Sequence, residues 1–123
     1  MSHREPAEEL YQKLLAMHED AFAAGRFDVA YHVLAAALHA AEEVPSIELL
    51  MAVRDLAEQR QKALDAMEPQ HRLSSLSAGR RGHTPQYTAL ATIAMSVKGR
   101  IEADNAVERG HRAMGKRGVK SPG

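Results

Sequence analysis

The sequence predicts an all-α protein: an antiparallel three-helix body built on a helical hairpin, plus a linked C-terminal helix. Three observations carry that expectation. Apolar residues recur at helical spacings of three and four through residues 10–67. Alanine supplies 22 of the 123 residues against only five aromatics, Tyr11, Phe22, Phe27, Tyr31 and Tyr87, so the core should be thin and made of helices in close contact. The breaks at Gly25 and Pro45-Ser46 are short, and short connections make consecutive helices antiparallel neighbours.

The first helix places Leu10, Leu14, Met17 and Ala21 in one row, with Tyr11, Leu15, His18 and Phe22 beside it. Pro6 suits its first turn, Glu8 and Glu9 favour its positive end, and Gly25 stops it. The second helix follows at once, with Phe27, Ala30, Tyr31, Leu34, Ala37, Leu38 and Ala41 as its stripe. Pro45-Ser46 then breaks the chain and offers Ser46 as an N-cap. The third helix runs from Ile47 to about Met67, with Leu49, Val53, Leu56, Ala63 and Met67 on one face and a second row at Ile47, Leu50 and Met51.

The formal charge of zero conceals a division. Residues 1–68 hold 13 acids against 6 bases, whereas residues 69–123 hold 3 acids against 10 bases. This divides the chain into a helical body at 1–67 and a basic appendage, for which a solvated basic tail is the first expectation and folding back on the body or on a neighbouring copy the second. The serine, glycine and arginine content of 68–84 reads as a flexible linker. Thr84-Pro85 should open a C-terminal helix over 85–109, in which Tyr87, Leu90, Ala94, Val97 and Ile101 form a narrow apolar seam. Residues 110–123, with three glycines past Gly110 and Pro122, read as a disordered basic tail.

The stretch from Tyr11 to Ala41 resembles a tetratricopeptide repeat, a helix–turn–helix unit of about 34 residues. Leu14, Met17 and Ala21 match the family's first helix, Gly25 its turn, and Phe27 the aromatic place after it. Ala30 matches the small residue where the helices cross, and Leu34, Ala37 and Leu38 complete the second helix. His18 stands where the family prefers a small residue and Glu42 where it often has proline; the match covers one repeat, about a quarter of the chain. The resemblance implies a peptide-binding face on the first helix, here Gln12, Leu15, Glu19, Phe22 and Ala23. Leu15 and Glu19 occupy the places of the carboxylate clamp found in chaperone-tail binders, so the face should prefer an apolar or basic partner.

Other chemistries find little support. With no cysteine, disulfides, cysteine-rich zinc sites, iron–sulfur centres and thiol nucleophiles are excluded. No apolar run approaches the ~20 residues of a membrane span, and Met1-Ser2-His3-Arg4-Glu5 is unlike a secretory signal, so the expected location is the cytoplasm. Gly110 to Lys116 has phosphate-loop spacing, but Arg117 replaces the magnesium-binding hydroxyl and no strand precedes it. His32 and His39 lie about 10 Å apart along one helix, too far to share a metal, and Asp28–His32 and His39–Glu43 are spaced for local hydrogen bonds. A site joining His18 and His32 across the hairpin is the one acid–base or metal arrangement the pattern allows.

The expectation is therefore a non-enzymatic protein-interaction or assembly module, with no cofactor, no metal and no catalytic residues. Its partner-binding candidates are Gln12, Leu15, Glu19 and Phe22, with Ile47, Leu50 and Met51. A three-helix body with so much alanine is marginal alone, which points to self-association or to cover from the C-terminal seam. The alternative is a small nucleic-acid-associated protein that uses Arg109, Arg112, Lys116, Arg117 and Lys120 on phosphates, though without interleaved aromatics for base stacking.

Overall fold

The computed structural model describes residues 4–120, with side chains from 6 to 112. Among these residues it is all-helical: α1 (Arg4–Ala23), α2 (Phe27–Glu43), α3 (Ile47–Met67), α4 (Ser75–Arg80) and α5 (Gln86–Lys120). The α1–α2 turn is closed by a paired cap, Gly25 N–H to the Phe22 carbonyl at 3.0 Å and Arg26 N–H to Ala21 at 2.9 Å. That cap needs a left-handed residue, and Gly25 supplies it at φ 78°. Ser46 caps α3 by accepting from the Leu49 N–H at 3.2 Å, as its position predicts.

Long-range contacts fix the helix directions. Tyr11 donates to the Leu49 carbonyl and His18 meets Arg60, so α1 and α3 run the same way. Tyr87 donates to the Phe27 carbonyl and Arg100 pairs with Glu42, so α2 and α5 run together in the opposite sense. The result is an up-down-up-down bundle in which α1 packs chiefly on α2 and α3 chiefly on α5. Ala30, Leu34, Ala37 and Ala41 are fully buried at its centre, and the three alanines are small enough for the helices to approach closely.

The seam expected on the last helix is buried throughout: Tyr87, Leu90, Ala94, Val97 and Ile101 are each under 9% exposed. It covers the three-helix body from within the same chain. Two faces differ from the periodicity reading. On α1 the inner face is Ala7, Tyr11, His18 and Phe22, while Leu10 and Met17 are about half exposed. Tyr11 and His18 take the inside because their polar atoms reach partners there while their rings fill volume. On α3 the buried line is Leu50, Val53, Ala57, Gln61 and Leu64; it takes one residue from each expected row and three, Ala57, Gln61 and Leu64, from neither.

Residues 68–84, read from composition as a flexible linker, contain α4 and bury Leu73, Ser74 and Ala78. Asp65 reaches from α3 to accept from the Ser75 N–H at 2.8 Å and its hydroxyl at 2.6 Å, and Gln61 donates to the Leu73 carbonyl at 3.1 Å. α4 closes with the same cap as α1, around Gly82 at φ 70°. The C-terminal helix also passes residue 109, where a disordered tail was expected, and runs to Lys120. No proline interrupts it before Pro122, and Glu108 and Arg112 form an i, i+4 pair at 2.9 Å. Residues 102–112 are all exposed, so α5 leaves the body after Ile101. Residues 121–123 lie outside the described residues.

Candidate functional site

Four of the five aromatics collect where α1 turns into α2 and α5 begins. Phe22 and Phe27 meet edge-on with centroids 4.9 Å apart, and Tyr87 stands 6.1 Å from Phe22 and 5.6 Å from Tyr31. His71 brings the loop after α3 onto the Phe27 ring at 5.2 Å. Arg60 of α3 lies 4.8 Å over the Phe22 ring. The cluster joins every long helix at one end of the bundle.

His18 is at the centre of that cluster and is fully buried. Its Nδ1 faces the Ala30 carbonyl at 2.7 Å, which can only accept, so Nδ1 carries the proton. Nε2 then accepts from Arg60 Nε at 3.0 Å. Burial lowers the His18 pKa, and the neighbouring Arg60 charge acts in the same direction, against the raising effect of the Ala30 bond. The ring is a neutral connector between α1, α2 and α3. Tyr87 is held protonated by burial, its hydroxyl donating to Phe27 at 3.0 Å.

His18 and His32 do not form a joint site: His32 is exposed against the Tyr31 ring. Asp28 pairs with Arg72 instead of His32, and His39 faces Glu42 at 3.6 Å instead of Glu43. Among the described residues no three His, Asp or Glu side chains gather as a metal site would require. The Gly110–Lys116 stretch is part of the α5 helix and has no loop to cradle a phosphate.

The seven partner-binding candidates separate by burial. Phe22, at 7% exposed, and Leu50, fully buried, belong to the core and are corrected from surface to interior. Both sit on inward turns of helices whose register the apolar spacing alone leaves open. Gln12 and Glu19 are exposed, and Leu15, Ile47 and Met51 are half-buried. One exposed apolar row is one the periodicity assigned to the core: Leu10, 48% exposed, and Met17, 55%, with half-buried Leu14 between them on α1. Val29 on α2 is also exposed.

The anchors of the loop before α4 escaped sequence reasoning. Asp65 has its carboxyl held below the usual range: burial opposes ionisation, but the Ser75 and Gln61 hydrogen bonds outweigh it. The one available signal was Ser74, three residues before Ser77, whose N–H it caps at 3.1 Å. No family model, curated protein or solved structure matches the chain. No described helix is long and apolar enough to cross a membrane.

Proposed function

We propose that this protein is a non-enzymatic helical interaction module that associates with a second copy of itself through the outer face of α1. The observation that carries the reading is the row on α1 in which Leu10 and Met17 are about half exposed on either side of half-buried Leu14. Neighbouring apolar side chains left exposed on a helix that already buries another face mark a contact surface. A tetratricopeptide-like hairpin is consistent with the fully buried Ala30 at the α1–α2 crossing and with Phe27 against Phe22 at the hairpin mouth. Association by hairpin stacking would give the exposed row a cover of its own kind. The nucleic-acid alternative draws less support: of the tail cations it would use, Arg112 pairs with Glu108, and no aromatic is interleaved among them for base stacking.

Sedimentation of the purified full chain and of a Leu10→Glu/Met17→Glu double variant tests the reading. The expected result is a concentration-dependent dimer for the natural chain and a monomer of equal helicity for the variant. A natural chain that stays monomeric at high concentration overturns it.

A further inference from the structure

We propose that the cleft between α4 and the start of α5 is a binding site for a small oxyanion, a phosphate free or carried on a small organic group. The cleft has a volume of about 290 Å³, at the low end for ligand pockets. Leu73 and Ala78, both buried, form its floor, and Arg72, Arg81 and His83 line it with Thr84 and Gln86. Among the described residues no carboxylate lines it, and the one nearest its arginines is Asp28, paired with Arg72. The segment that builds it, residues 69–84, holds three arginines and two histidines and no acid.

The two guanidiniums are positioned before any ligand arrives. Arg81 donates one N–H to the Arg72 carbonyl at 2.7 Å, and Arg72 is held by Asp28. Each guanidinium presents five N–H donors, so one committed bond apiece leaves most of them for an anion. The Gly82 cap sets Arg81 and His83 on either side of one tight turn, and Asp65 and Gln61 fasten the loop beneath it to α3. Charge-assisted, two-pronged hydrogen bonding of this kind suits phosphate geometry. The apolar floor leaves room for a small organic substituent but not for an extended polymer. Because the arginines are solvent-exposed, the affinity should be modest, on the order of millimolar at low salt.

The site is tested by following backbone amide NMR shifts of the full chain during titration with inorganic phosphate and with phenyl phosphate, against sodium chloride at matched ionic strength. The expected result is saturable movement of the amides of residues 72, 81, 83 and 86 with phosphate but not with chloride. Tighter binding of phenyl phosphate identifies an organic phosphate as the ligand, and equal binding identifies the free anion. Arg81→Gln should weaken binding by about tenfold or more. Gln86→Glu, which leaves both arginine bonds in place and adds a carboxylate at the rim, should do the same. Shifts no larger than with chloride, shifts centred on the far half of α5, or unchanged affinity in both variants would overturn the proposal.

Discussion

His18 is constrained on both nitrogens, and that constraint has a pH signature. Protonation would place an Nε2–H against the Arg60 Nε–H and add a second positive charge in a buried site. In the unfolded chain the ring regains its ordinary pKa of 6.5, above the folded value. Between the two values the unfolded state binds more protons, so His18's contribution is complete above about pH 6.5 and is lost as pH falls toward the folded value. Thermal melts between pH 8 and pH 5 should show Tm falling on the acid side, and His18→Gln should remove a large part of that slope. An identical slope in the variant would place the acid sensitivity elsewhere. Asp65 acts in a lower window: its stabilisation is present above the ordinary value of 3.8 and disappears as pH falls below it. Ala30 makes a steric prediction at the same scale. It is fully buried against His18, so Ala30→Leu should overpack the crossing and cost about 1–3 kcal/mol in chemical denaturation.

The helix ends near Gly25 and Ser46 were legible because a local residue sets each of them: a left-handed glycine and a hydroxyl cap. The seam Tyr87–Ile101 was legible because its spacing is regular and no competing apolar row lies beside it. The α1 face was not, since two adjacent rows satisfy the same period and the choice rests on where Tyr11 and His18 find acceptors. The docked loop before α4 was hidden for a related reason. Its composition is that of a mobile connector, while the groups that hold it, Gln61 and Asp65, lie on α3 and carry no local sign of the task. For the candidate surface, exposure could only be read once the α1 register was known. The docked loop predicts an outcome that a mobile linker does not. Leu73 is 2% exposed, so Leu73→Ala should cost about 2–5 kcal/mol. Asp65→Ala should speed hydrogen exchange across Ser75–Arg80 while leaving the amides of α2 protected. A neutral Leu73→Ala would return the segment to a tether.

Across the whole molecule, the acidic first half and basic second half meet within one chain. Arg72 pairs with Asp28 and Arg100 with Glu42, each joining a residue past 68 to one on α2. Exposed pairs of this kind contribute about 0–1 kcal/mol, so they orient the halves more than they hold them together. The apolar seam of α5 supplies the larger share, because Tyr87, Leu90, Ala94, Val97 and Ile101 close a core that α1, α2 and α3 leave open. The appendage expected from composition is thus part of the fold, and the interaction surface proposed on α1 depends on a body that α5 completes. Thermal unfolding of a chain ending at Glu68 tests this most directly. Lacking the seam, residues 1–68 should aggregate or melt without a cooperative transition under conditions where the full chain gives one. A folded, monomeric 1–68 fragment with a Tm close to that of the full chain would contradict it.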